Sequence, residues 1–177
     1  MSKQIVILTG SPRKNGNTEK LATAFKEGAE SAGKTVTVFR TAHMKIAACI
    51  GCEYCIGHPG LCALKDDMAE IIDALHRADV IVWASPVYYF SFTAQLKRAI
   101  DRMYPLINET SKQAALLLTC ADEDADTAAG ALAIYERILN YYTWEDVGTI
   151  IASGVEHVGD IDGHDALLHA QKLGQEI

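Results

Sequence analysis

Four of the five cysteines of this 177-residue chain fall inside one short stretch, CIGCEYCIGHPGLC, which we call the cysteine segment (residues 49–62). Their spacing is C-x2-C-x2-C-x6-C. Thiolates this close together can ligate a metal ion or an iron–sulfur cluster, form disulfides, or act as redox-active thiols. The glycines between them give the segment freedom to curl around one centre. The four candidate ligands are Cys49, Cys52, Cys55 and Cys62.

The spacing alone leaves several kinds of site open. A C-x2-C-x2-C run is how ferredoxins hold three corners of a 4Fe-4S cluster, although Ala63 rather than a proline follows the fourth cysteine here. Structural zinc sites more often use two separated C-x2-C pairs. A reversible C-x2-C disulfide would suit redox sensing. The remaining interpretation is a set of partly buried thiols that bind no metal.

A second group of polar residues follows the first predicted strand, in TGSPRKNGNT, the first-strand loop (residues 9–18). Backbone N–H groups at the start of a helix, with the positive end of its dipole behind them, favour a bound phosphate. The loop matches neither the Walker A pattern nor the G-x-G-x-x-G dinucleotide pattern. A turn rich in Gly, Pro and Asn with an ordinary helix cap is the alternative.

A third group follows the third predicted strand, in SPVYYFSFTAQLKRAIDR (residues 85–102). Tyr88, Tyr89 and Phe90 are consecutive aromatic residues in a loop rather than in an apolar run. Aromatic faces beside exposed backbone amides suit a flat heterocycle with polar edges. Packing beneath a helix, or contact with another subunit, would be the alternative role for these side chains.

The elements that position these groups alternate along the chain. Short apolar runs predict strands at 5–9, 35–39, 80–84, 114–119 and 147–152. Amphipathic stretches predict helices from Asn17 or Thr18 to Gly33, after Asp67, and over 93–104, 127–142 and 165–177. Asn17 or Thr18 would cap the first helix, and the Asp67 carboxylate would cap the second, with Glu70 three residues on as in a capping box. We therefore predict one domain over 1–177, a three-layer doubly wound α/β fold with a five-stranded parallel sheet in the order 2-1-3-4-5. Ligands of such sheets bind beyond the carboxyl ends of the strands.

The composition narrows the class of partner. The formal net charge of −7 argues against general binding of nucleic acid. No stretch is long and apolar enough to predict a membrane span, and the run IVILT near the start is too short for a signal peptide. We therefore expect a cytoplasmic protein, in which structural disulfides would be rare.

Three stretches in order, GSPRKNGNT (10–18), LKDDM (64–68) and SPVYYFSFTAQLKRAIDR (85–102), resemble the NADPH-dependent FMN reductase family of flavodoxin-like proteins. The resemblance implies non-covalent FMN and reduction by NAD(P)H, with hydride transfer to the flavin. The phosphate would be held by Ser11, Arg13, Asn15, Asn17 and Thr18. The isoalloxazine ring would be bordered by Pro86, Val87, Tyr88, Tyr89 and Phe90. The loop after the fourth strand would supply a third edge through Thr119 and Cys120. No side chain is assigned an acid or base role.

The cysteine segment resembles the corresponding loop of the iron–sulfur flavoproteins, a branch of the same family. That resemblance implies a 4Fe-4S cluster on the four cysteines beside FMN, in an electron-transfer oxidoreductase. The donor would be a nicotinamide nucleotide or a ferredoxin-like protein, and the acceptor a small molecule or a protein. Relatives of this kind also imply a homodimer or homotetramer. A cluster-free FMN or quinone reductase, and a non-enzymatic FMN-binding carrier or thiol sensor, are the alternatives.

Overall fold

The structure, a computed structural model, describes residues 2–177. The strands are β1 (Gln4–Thr9), β2 (Thr35–Arg40), β3 (Val80–Pro86), β4 (Gln113–Thr119) and β5 (Glu145–Ala152). The helices are α1 (Asn17–Ser31), α2 (Tyr54–Gly57), α3 (Met68–Arg77), α4 (Ala94–Asp101), α5 (Ala129–Tyr142) and α6 (Asp165–Glu176). The five strands pair in parallel in the order β2-β1-β3-β4-β5, which confirms the predicted flavodoxin-like fold.

The sheet has helices on both faces because its central strands are apolar on both. In β1, Ile5 and Ile7 pack with α1 and α6, whereas Val6 and Leu8 pack with α3, α4 and α5. This alternation follows from the two-residue period of a strand. The parallel strands end at one edge of the sheet, so the loops after β1, β3, β4 and β5 meet there.

Helices α1 and α6 pack closely on one face of the sheet. A Cβ atom placed on Gly28 would lie 1.9 Å from the backbone oxygen of Gln171, a distance that real Cβ atoms do not reach. A glycine is therefore required at this contact. This close approach packs α1 against α6. Within residues 2–177, none of these helices has the length and hydrophobicity to cross a membrane.

The strand β2 lies at the edge of the sheet, as the predicted order 2-1-3-4-5 requires, and buries only Phe39. One local expectation, the cap of α1, is wrong. Helix α1 is capped by neither Asn17 nor Thr18: its N-cap is Gly16, which offers no side chain.

The predicted start of α3 is confirmed, but its predicted capping box is wrong. The Asp67 carboxylate accepts a hydrogen bond from the Lys45 N–H at 2.7 Å rather than from its own helix. The neighbouring Asp66 accepts from the Met68 N–H at 3.2 Å instead. Asp66 therefore bonds to the start of α3, whereas Asp67 bonds to the chain before the cysteine segment.

Candidate functional site

A cleft of about 240 Å³ opens at the carboxyl edge of the sheet. It brings together loops that are far apart in sequence. Its lining residues are Ser11, Arg13, Asn17, Thr18, Pro86, Val87, Tyr88, Thr119, Ala121, Val155 and Glu156. Eight of these are residues that the sequence predicted for a flavin site, and they come from three separate loops.

The cleft contains the start of α1. The N-cap residue Gly16 makes no side-chain hydrogen bond to the first turn, although Gly16, Asn17 and Thr18 are buried. The first N–H groups of a helix have no partner within the helix, and a buried helix start without a cap leaves them unsatisfied. These donors and the positive end of the helix dipole are suited to an anion.

Hydroxyl groups line the same part of the cleft. The Oγ1 atoms of Thr18 and Thr119 are 2.7 Å apart and buried, so this hydrogen bond joins the start of α1 to the end of β4. The Ser11 Oγ accepts a hydrogen bond from the Arg13 N–H at 3.3 Å. Each hydroxyl retains lone pairs or a rotatable hydrogen for a ligand.

The side chain of Asn17, although it lines the cleft, makes its hydrogen bonds to other residues of the protein. Its side-chain NH2 donates to the backbone oxygens of Val155 at 3.2 Å and His157 at 2.8 Å. Its Oδ1 accepts from the Gly159 N–H at 3.1 Å. Both side-chain amide hydrogens are used, so the Asn17 side chain holds the loop after β5 against α1 and has no free donor for a phosphate.

We expect the Asn17→Ala substitution to lower the free energy of unfolding by about 1–3 kcal/mol, because it leaves the buried Val155 oxygen unpaired and removes two further hydrogen bonds to the 155–159 loop. Urea unfolding of the flavin-free protein measures this. Asn108→Ala is the control, since Asn108 is exposed, and its effect should stay within about 0.5 kcal/mol. Equal stability of the two variants would contradict the assigned contacts.

The loop after β5 is the part of the cleft that sequence reasoning missed. Val155 and Glu156 line it, and the Glu156 backbone oxygen accepts a hydrogen bond from Arg13 Nη1 at 2.7 Å. The predicted strand order carried the signal, because it places β5 beside β4 with its carboxyl end at the same edge. The motifs alone did not point to this loop.

The aromatic residues after β3 form a tight turn. The Tyr88 N–H donates to the Ser91 oxygen at 2.9 Å, and the Ser91 N–H donates to the Tyr88 oxygen at 3.1 Å. The two residues between them have positive φ angles, 47° for Tyr89 and 63° for Phe90. Bulky residues rarely adopt this conformation, and such strain is concentrated at functional sites. None of the three aromatic side chains is buried, and Tyr89 is 99% exposed.

Four predicted residues lie outside the cleft lining, namely Asn15, Tyr89, Phe90 and Cys120. Asn15 has a φ of 53°, a left-handed conformation that asparagine tolerates, and it forms part of the turn before α1. Its backbone N–H donates to Glu19 at 2.7 Å. Cys120 is buried in the core, where burial raises the pKa of its thiol.

The four thiols of the cysteine segment line one small hollow of about 30 Å³. Cys49 and Cys52 are exposed, whereas Cys55 and Cys62 are partly buried. Burial raises the pKa of the Cys55 thiol, and the other three thiols raise it further through their charge. Across residues 2–177, no three His, Cys, Asp or Glu side chains are arranged as a metal site. The donor set of a cluster is thus gathered at one place, but the sulfurs are not in ligating positions.

The ends of the cysteine segment are fastened together by Asp66. Its Oδ2 accepts hydrogen bonds from the Ala47 N–H at 2.8 Å and from Arg102 Nη1. Burial disfavours the carboxylate, but the hydrogen bonds from Arg102, Ala47 and Met68 outweigh it and keep the pKa of Asp66 below its ordinary value. The carboxylate is therefore charged at neutral pH and forms an ion pair with Arg102.

Comparison with known proteins agrees with this architecture. The family model for NADPH-dependent FMN reductases matches residues 4–142. An iron–sulfur flavoprotein from Archaeoglobus fulgidus is 32% identical over 176 residues, covering 96% of this chain and 76% of that protein. One from Methanosarcina thermophila is 40% identical over 100 residues, covering 56% of this chain and 51% of that protein. The alignment thus spans about half the length of the second relative.

Among solved structures, an NAD(P)H:quinone oxidoreductase from Methanothermobacter marburgensis is similar with a TM-score of 0.77 at 21% identity. The alignment covers 99% of this chain and 96% of that one. At this level of identity the likeness bears on the fold, and it agrees with the strand order described above.

Proposed function

Because the chain belongs to the NADPH-dependent FMN reductase family, we propose that its cleft binds FMN and that the cysteine segment holds a 4Fe-4S cluster. The protein would then be an electron-transfer oxidoreductase that is reduced by a nicotinamide nucleotide. The main support for FMN binding is the buried, uncapped start of α1, which faces a cleft lined by eight of the predicted flavin-site residues.

The residues present fit the phosphate end of FMN. The unsatisfied first-turn N–H groups of α1 would receive the phosphate oxygens, and Ser11 and Thr18 would add hydroxyl donors. Arg13 adds positive charge at the rim of the cleft. Asn17 acts indirectly, by holding the loop after β5 in place.

The flavin ring would lie towards the aromatic turn. The cleft volume of about 240 Å³ is below the roughly 300 Å³ at which small-molecule sites begin, so part of the ligand must extend outside it. Pro86, Val87 and Tyr88 line the side of the cleft next to this turn, where a planar ring can stack. Bound FMN would supply the chemistry, accepting a hydride from NAD(P)H and passing electrons on.

We expect the Tyr88→Ala substitution to weaken FMN binding by about 1–3 kcal/mol, because the ring would lose its aromatic contact. Titration of flavin-free protein with FMN, followed by flavin fluorescence, measures the change. The Tyr141→Ala variant is the control, since Tyr141 is an exposed aromatic of α5 and does not line the cleft. Unchanged affinity in the Tyr88 variant would remove this residue from the site.

The cysteine segment fits a cluster by the chemistry of its donors. Four thiols around a single hollow match the ligand set of a 4Fe-4S cluster. The hollow has about the volume of one water, so the segment must widen on binding. Cys49 and Cys52 are on its exposed side. A bound cluster would accept and donate single electrons, and the names of the relatives support this assignment.

Anaerobic oxidation of NADH and NADPH tests the function as a whole. We expect the FMN-loaded protein to oxidise at least one of them in the presence of an artificial acceptor, and the flavin-free protein to oxidise neither. A loaded protein that is reduced by ferredoxin but by neither nucleotide would be an electron carrier instead. Failure of the flavin-free protein to bind FMN would reject the proposal altogether.

A further inference from the structure

We propose that Arg102 is a positioning residue that fixes Cys62 and raises the reduction potential of a cluster held by the cysteine segment. This inference rests on the proposed function. Arg102 carries a buried positive charge, because it lies just beyond the end of α4 and its side chain is 1% exposed. Burying a guanidinium is costly unless it has partners, so its contacts show what it is there to hold.

The contacts of Arg102 all lead to the cysteine segment and its ends. Its Nη2 donates to Cys62 Sγ at 3.3 Å and to the Leu64 oxygen at 3.5 Å. Its Nη1 donates to the Ala47 oxygen at 3.3 Å and to the Asp66 carboxylate. The guanidinium thus joins the chain on both sides of the segment and touches one of the four candidate sulfurs.

The contact selects Cys62 as the anchored corner of the site. Cys49 and Cys52 are exposed, whereas Cys62 is partly buried against a buried, ion-paired arginine. The same guanidinium lines the hollow. A ligand sulfur fixed in this way gives the segment a fixed point about which its exposed part can rearrange.

The charge of Arg102 has a definite electrostatic consequence. A cluster with four thiolates is anionic and gains one more negative charge on reduction. Hydrogen bonds to cluster sulfurs and nearby positive charge favour the more negative state, and so raise the reduction potential. Asp66 partly neutralises Arg102, so it acts in the opposite sense.

Two substitutions of the ion pair therefore shift the potential in opposite directions. In the Arg102→Gln variant we expect the midpoint potential of the cluster to become more negative. In the Asp66→Asn variant, the guanidinium loses its compensating charge and we expect a more positive midpoint potential. Arg102→Lys keeps the charge but loses the planar fork, so its shift should be negative and smaller than that of Arg102→Gln.

The experiment is an anaerobic dithionite titration of the loaded protein with redox mediators, followed by electron paramagnetic resonance of the reduced cluster. The potential of bound FMN, read in the same titration, is the internal reference. Arg77→Gln and Asp73→Asn are the matched controls, because Arg77 and Asp73 form an exposed ion pair on α3 that touches no cysteine. Both controls should leave the cluster potential unchanged.

A residue that only stabilised the fold would lower thermal stability in the Arg102 and Asp66 variants alike, without shifting the potential in opposite directions. Shifts of the same sign, or no shift, would overturn the inference while leaving the cluster in place. If Arg102→Gln does not retain a cluster, the inference is tested by the other two variants. A negative shift of the potential in Arg102→Lys and a positive shift in Asp66→Asn support it, and any other pair of signs overturns it. Wild-type protein without iron or sulfide would reject the cluster proposal, and the inference with it.

Discussion

Protein purified without oxygen is expected to contain about four iron atoms and about four acid-labile sulfides per chain, and the Cys52→Ser variant is expected to lose both together. Cys52 is the middle of the three most closely spaced thiols, and it lines the hollow that all four share. Replacing one corner of a cubane with a weaker oxygen ligand should remove the cluster rather than one iron. Metal analysis, sulfide assay and the visible absorption of the cluster measure the loss.

FMN content is the internal control for this experiment, because the flavin residues come from other loops. Cys120→Ala is the matched cysteine control: Cys120 is buried among apolar side chains and belongs to neither the hollow nor the segment. It should retain iron and sulfide. About one zinc per chain without sulfide would identify a zinc site instead. Iron near zero with FMN retained would make this a cluster-free flavin reductase whose cysteines are thiols.

The fold followed from the sequence because its signals are strong and repeated. The central strands are apolar on both faces, and each helix between them has one apolar stripe. A parallel sheet with a layer of helices on each face buries all of these apolar surfaces. Handedness and sheet order then follow from general rules of α/β proteins. The edge position of β2 follows from the same predicted order, and its mostly exposed residues agree with that position.

The site was predictable only in part, because local polarity does not reveal which partner a side chain chooses. The side-chain NH2 of Asn17 is a suitable donor for a phosphate. In the structure, however, it donates both its hydrogens to a loop more than a hundred residues away in sequence. The ion pair of Asp66 and Arg102 likewise joins distant segments. Such contacts depend on tertiary positions, which a spacing pattern does not contain. The uncapped start of α1 was hidden for the same reason, because Asn17 and Thr18 are both good capping residues.

That uncapped start gives the sharpest test of the flavin site. We expect the Gly16→Asp substitution to weaken FMN binding by about 4 kcal/mol, roughly a thousandfold, because a carboxylate would occupy the helix start and repel the phosphate at close range. Gly16 has φ −75° and ψ 171°, a conformation in which aspartate can cap a helix. Fluorescence titrations of flavin-free protein with FMN and with riboflavin measure the effect.

Gly16→Asn separates charge from size. A Cβ atom at this position would lie 3.0 Å from the Arg13 Cβ, so any side chain there causes some crowding, and both variants share it. Asparagine can cap the helix as aspartate does, but it carries no charge. The Asp variant should therefore bind FMN far more weakly than the Asn variant, while the two bind riboflavin equally. If the two variants bind FMN with equal affinity, the phosphate does not lie at the start of α1, and the orientation proposed for the flavin is wrong.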